Sequence, residues 1–277
     1  MPDDVPRSRT ARAAAEQALI RVVHHYGGRP AFVLLGGLVP DLLCSTSDLL
    51  HAGTTDVDVQ VDLEIALGST SARRLERALL NAEFAPDGKR VWRWVAEGPV
   101  PRTVVKFELL ADQDDAPSEA TVTFDGCDEL GAVNLRGTGY ASRDVEVRTL
   151  DGHVGGVTHI AEVNVTGLAG FLLAKTAAAR SRRKPKDWYN IAYVLLHNDA
   201  GGPAAAADAV FDRFGSEVDT FRTNLADLQA NFATPQAQGP IAYAKQILLD
   251  HPAMDRPTVL ADAVLAVERF TTSVLPR

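Results

Sequence analysis

Asp56 and Asp58, two aspartates separated by one residue, are the side chains of this sequence best placed to do chemistry. They lie in Asp56-Val57-Asp58-Val59-Gln60-Val61-Asp62, which alternates polar and apolar residues with the period of a strand that has one wet face. Residues i and i+2 of a strand project to the same side, so the two carboxylates point together. Held side by side they repel, and a divalent metal ion relieves that repulsion directly. Two solvated acids on a surface strand are the plainer alternative. Upstream, Gly36-Gly37 follows the apolar run Phe32-Val33-Leu34-Leu35 and precedes Pro40-Asp41-Leu42-Leu43, the first turn of a helix. Glycines at a strand-to-helix junction let a phosphate approach backbone N–H groups, where a helix dipole also favours an anion.

Two-metal phosphoryl chemistry needs a further acid on a neighbouring strand. Val104-Val105-Lys106-Phe107-Glu108-Leu109-Leu110 offers Glu108, an acid in an apolar strand where an unpaired charge is costly. Asp112 is the alternative if the strand continues, and a surface pairing of Glu108 with Lys106 is the reading without chemistry. Further along, Leu168, Phe171, Leu172 and Lys175 follow helical spacing, so Lys175 lies in line with an apolar stripe and either reaches the rim or points into a cleft. Asp187 falls in the first turn of the next helix, where it caps the dipole or joins a site. Arg180, Arg182, Arg183, Lys184 and Lys186 form a basic run suited to phosphates or to an ordinary solvated loop.

The elements that must position these groups divide the chain. A helix is predicted over Arg9 to Tyr26 and another from Thr70-Ser71, as N-cap, to Asn81 with Leu75, Leu79 and Leu80 inward. Strands are predicted at Phe32–Leu35, Asp56–Asp62, Val91–Ala96, Thr103–Leu110, Ala120–Phe124, Val145–Leu150 and Val157–Val165. From Thr166, read as an N-cap, the pattern becomes helical: one helix to about Arg182, one from Pro185 to about Asn198, and three or four more between Ala204 and Leu275. This gives an α/β domain over residues 1–165 and a helical domain over residues 166–277.

A chain of 277 residues that is 46% hydrophobic buries a core in each part. No run approaches the roughly 18 uninterrupted apolar residues of a membrane span, and MPDDVPRSRT lacks the apolar stretch of a secretory signal, so a cytoplasmic protein without membrane contact is expected. Two distant cysteines, Cys44 and Cys127, form neither a disulfide framework nor a zinc motif, and the histidines read as structural or surface residues. The net charge of -8 argues against binding nucleic acid through global positive charge, but acids crowd the stretch from Thr103 to Gly131 while bases crowd Arg180 to Lys186. An RNA contact would therefore be confined to a patch.

Taken in order, the strand, Gly36-Gly37, Thr55-Asp56-x-Asp58, the later acid, Leu172-Leu173-Ala174-Lys175 and Arg183-Lys184-Pro185-Lys186-Asp187-Trp188-Tyr189-Asn190-Ile191 resemble nucleotidyltransferase-fold proteins of the AbiEii type, the family of the MenT-like toxins. The likeness covers roughly Phe32 to Leu196; the Lys175 and KPKDWYNI elements point to this family, since many nucleotidyltransferases share the rest. It implies a polymerase β-type mixed α/β sheet with flanking helices, and a helical C-terminal domain that completes the active-site cleft. The implied activity is magnesium-dependent transfer of a nucleoside monophosphate from an NTP, such as ATP, with Asp56, Asp58 and Glu108 at the metals. Gly36, Gly37 and Lys175 would contact the triphosphate, Asp187 would order the site, and the basic run would meet RNA. The implied acceptor is the tRNA 3′ end, within a toxin–antitoxin pair that includes a cognate antitoxin protein. Three positions differ from the family's usual residues: His51 alone supplies a basic residue shortly before the DxD, the third acid is Glu rather than Asp, and Asn190 stands where a second Asp commonly follows. A small-molecule or protein acceptor, or a catalytically silent nucleotide- or RNA-binding module, are the rival readings.

Overall fold

The computed structural model describes residues 9–61, 70–97 and 103–275. It divides into two compact units, Met1–Val39 with Gly53–Thr166, and Pro40–Ala52 with Gly167–Arg277. The segment Pro40–Ala52 thus groups with the helices that follow residue 166.

The α/β unit is a mixed sheet under helices. Its strands are β1 (Val33–Leu35), β2 (Asp56–Gln60), β3 (Ala85–Asp87), β4 (Arg90–Glu97), β5 (Val104–Ala111), β6 (Thr121–Thr123), β7 (Gly131–Asn134), β8 (Val145–Val154) and β9 (Val157–Thr166). The main path runs β3-β4-β5-β2-β1-β9-β8, with β7 paired to both β5 and β6. The central pairs β2–β5 and β1–β9 are parallel, whereas β1–β2 and β4–β5 are antiparallel. Helix α1 (Arg9–Tyr26) lies against α3 (Thr70–Asn81) and the sheet; of the apolar positions at helical spacing it buries Ala14, Ala18, Leu19, Val22 and Val23, whereas Ala13 is exposed. One sheet face is apolar: Val57, Val59, Trp94, Phe107 and Leu109 have no exposed surface. Alternation then sends Asp56, Asp58, Lys106, Glu108 and Arg93 to the other.

Several expectations are corrected. Leu80 is 53% exposed, because α3 buries Leu75 and Leu79 and the neighbouring position turns outward. The strand at Asp56 is described only to Gln60 as a strand, and Asp62 lies outside the described residues. The segment predicted as Val145–Leu150 continues to Val154, where Gly155 (φ 59°) and Gly156 (φ 83°) close a two-residue hairpin into β9. β3 and β7 were not predicted: β3 contains Pro86, and Gly131-Ala132-Val133-Asn134 shows no alternation because all four residues are buried.

The helical unit contains α4 (Leu168–Arg182), α5 (Pro185–His197), α6 (Pro203–Phe214), α7 (Val218–Asn231), α8 (Gln238–Asp250) and α9 (Arg256–Val274). Thr166 ends β9, and Gly167, one residue later than expected, holds the N-cap position of α4. Pro185 opens α5, where a missing N–H is harmless, and α5 is buried from Asp187 to Leu195. Short helix α2 (Val39–Leu43) carries the division between the units. Within the helical unit Asp199 takes four hydrogen bonds, from the N–H and hydroxyl groups of Ser45 and Thr46, at 2.7–3.0 Å. Burial works against the charged Asp199, but these four donors outweigh it and bring its carboxyl down to about 2. No described helix is long and apolar enough to cross a membrane.

Candidate functional site

In the α/β unit the register assembles the acids that the sequence singled out. Asp58 is the direct neighbour of Leu35 on β1 and of Glu108 on β5, and Asp56 is the neighbour of Lys106. Glu108 is in turn opposite Arg93 on β4. One face therefore carries the carboxylates Asp56, Asp58 and Glu108 with the cations Lys106 and Arg93. The pairing differs from the surface alternative: Lys106 Nζ is 3.7 Å from Asp56, whereas Glu108 is ion-paired and hydrogen-bonded to the Arg93 guanidinium. Among the described residues no hydrogen bond or ion pair holds the Asp58 carboxylate. Burial pushes the Glu108 carboxyl above the usual range, the neighbouring Asp58 and Asp56 add to the rise, and Arg93 opposes it. Among the described residues this face carries three carboxylates and two cations.

Gly36 is built around Asp58. It has φ +85°, and a Cβ there would fall 2.7 Å from Cγ of Asp58. A side chain at Gly37 would similarly fall 2.8 Å from Cβ of Thr54. Gly36–Leu38 form a 3-10 turn that leads into α2, a helix of five residues. Peptide dipoles sum along a helix, so one this short contributes little, and the phosphate-binding role expected of a helix N-terminus reduces to the bare glycine backbone.

Asp112 is committed elsewhere. β5 ends at Ala111, and the Asp112 carboxylate accepts from the N–H groups of Gly137 (2.9 Å) and Gly139 (2.8 Å), which fixes the 3-10 turn Thr138–Arg143. Burial raises its pKa while those two bonds oppose the rise. Sequence reasoning missed Arg93, although a lone cation between Trp92 and Trp94 signals a partnered charge.

The helical unit concentrates charge of the opposite kind. Asp187 is completely buried; its Oδ1 lies 3.6 Å from Lys175 Nζ, and Arg182 grips both carboxylate oxygens at 2.8 and 2.9 Å. Burial alone would raise the Asp187 pKa, but Lys175 and Arg182 outweigh it and hold the carboxyl below the usual range. Of the basic run, Arg183 binds Asp227 (2.7 Å) and Arg180 binds Asn224 (3.1 Å), so these arginines and Arg182 all have partners within their own unit. Lys184 is exposed and Lys186 half-buried. His51, expected to be structural or at the surface, is buried: its Nε2 is 2.9 Å from Asn190 Oδ1, and its ring stacks on Tyr189 with centroids 5.0 Å apart. Two of the three positions that differ from the resembled family are thus bonded to each other.

Among the described residues no group of three or more His, Cys, Asp or Glu side chains is arranged to hold a metal ion. A scan of the chain against protein-family models gives no match, and no curated protein matches it.

Proposed function

We propose that this protein is a nucleotidyltransferase that moves a nucleoside monophosphate from an NTP to an acceptor hydroxyl. The observation that carries the reading is the half-buried Asp58 carboxylate, which has no bonded partner among the described residues and is seated against Gly36 and beside Asp56 on one sheet face. Magnesium takes one or two carboxylates, keeps several waters and completes its shell with substrate phosphates. Asp56 and Asp58 fit that donor set, and the surplus of acid among the described residues of this face supports it. Glu108 would join them only by leaving Arg93. When bound, the metal supplies positive charge at the phosphoryl oxygens.

The chain's own residues do the rest of the positioning. Gly36 and Gly37 present backbone without side chains, so a triphosphate can lie close to the turn. Asp56 and Asp58 would hold the cation that accompanies the triphosphate, while in-line attack of the acceptor oxygen on the α-phosphorus expels pyrophosphate. The family resemblance assigns Lys175 to the triphosphate, and Asp187 holds that lysine. It also suggests the tRNA 3′ end as acceptor and toxicity restrained by an antitoxin.

Wild type and Asp58→Asn protein incubated with α-labelled NTPs, magnesium and total RNA test the reading. Label should enter RNA with wild type only, and equal labelling with both would sink the assignment. A second reading, transfer to a small molecule, is favoured by the internal partners of Arg180, Arg182 and Arg183, which leave less of the basic run for RNA. It predicts that label appears outside the RNA fraction.

A further inference from the structure

β8 closes one side of the sheet, and among the described residues no strand pairs its outer edge. Because Gly155-Gly156 closes a two-residue hairpin, Val154 and Val157 exchange hydrogen bonds across it, and alternation turns the N–H and C=O of His153, Asp151, Thr149, Val147 and Val145 outward. His153 bears this out: its N–H donates to Gln17 Oε1 at 3.0 Å and its carbonyl accepts from Gln17 Nε2. Helix α1 therefore covers the edge at His153 through Gln17. From Val145 to Asp151 the edge has no such cover among the described residues.

The exposed side chains of this stretch begin with two valines on one face, followed there by Thr149 and Asp151, and include a charged pair on the other. Val145 is 40% and Val147 49% exposed on the face away from Gly152, which packs against Ile20 of α1. Glu146 and Arg148 lie on the opposite face, 2.6 Å apart in an exposed pair. A long open edge with apolar side chains is a template for another strand, and exposed patches of this kind mark contact surfaces.

We infer that β8 pairs antiparallel with β8 of a second copy of this chain, centred on Val147. Charge complementarity selects both the occupant and the register. Outward groups must face outward groups, so odd-numbered residues oppose odd-numbered ones. Centring on Glu146 or on Arg148 sets like charges opposite each other. Centring on Val147 puts Glu146 opposite the partner's Arg148 and Arg148 opposite the partner's Glu146, in the closely spaced non-hydrogen-bonded positions. The same register sets Val147 beside the partner's Val147 and Val145 beside the partner's Thr149. The contact is isologous, as a twofold dimer requires.

Sedimentation of the full chain over a range of concentrations tests this. Wild type should dimerise. Glu146→Arg and Arg148→Glu should each weaken the dimer at least about tenfold, since each puts two like-charge pairs in place of two opposite ones. An equimolar mixture of the two variants should dimerise again, because every Arg then faces a Glu, and so should the double variant. A wild-type monomer at the highest concentration overturns the inference. So does a dimer indifferent to either single reversal, and so do two monomeric variants that fail to recombine.

Discussion

The acid row of the sheet and the Lys175–Asp187–Arg182 cluster are both charged clusters, yet they are balanced in opposite ways. Among the described residues three carboxylates face two cations on the sheet, Asp58 has no bonded partner, and Glu108 is driven toward its neutral form. In the helical unit one carboxylate is held by two cations, and its charged form is favoured even at complete burial. A cluster short of positive charge is poised to take up a cation. A cluster already saturated with it stabilises the fold first, and any role for Lys175 begins from that bound state. The same residue types therefore serve differently according to which charge is in excess.

Removing each side's central acid breaks the comparison most directly. Asp187→Ala leaves Lys175 buried against Arg182 without the carboxylate and should destabilise the protein by about 3–5 kcal/mol in denaturant titrations. Its contribution also has a pH signature. The folded-state pKa is depressed, so the stabilisation is complete above the ordinary carboxylate value and is lost as pH falls through the lower folded value. The difference between wild type and Asp187→Ala should accordingly shrink in strongly acidic solution; a constant difference would count against the ionic account.

Smaller losses are expected around the sheet. Gly36→Ala must place a Cβ against Asp58 from a left-handed backbone, which should cost about 2 kcal/mol and displace the carboxylate. Thermal unfolding measures the first part and magnesium affinity the second. Saturating magnesium should stabilise wild type by about 1–3 kcal/mol and leave Asp58→Asn unchanged; an equal shift in both would place the cation elsewhere. Smallest of all, Asp58→Asn without metal should alter stability by less than about 0.5 kcal/mol or raise it slightly, because it removes an anion from an acid-rich face. A loss comparable to that of Asp187→Ala would erase the distinction between the two clusters.

Periodicity made the long elements readable. Helix α1 and strands β2, β4, β5 and β9 lie within a residue or two of their predicted bounds, apart from the far end of β2, because each carries enough alternation or helical spacing to reveal a face. β7 was hidden by complete burial and β3 by its proline. The start of α4 was placed one residue early, because a threonine before an apolar run looks like the N-cap position whether or not a strand still occupies it. Asp56 and Asp58 were legible as a pair, since two positions along one strand share a face by local geometry alone.

Partnership was not legible. Glu108 had Lys106 two residues away in sequence, but alternation and register gave it Arg93 from another strand and gave Lys106 to Asp56. Asp112 looked like a reserve ligand until the strand ended and two distant glycine N–H groups took it. The sequence by itself determined which residues are acidic, which faces they share within one strand and where long elements run, because those follow from short-range backbone periodicity. Only the tertiary structure decided which charges meet, since ion pairing depends on strand register and burial between segments that are remote along the chain.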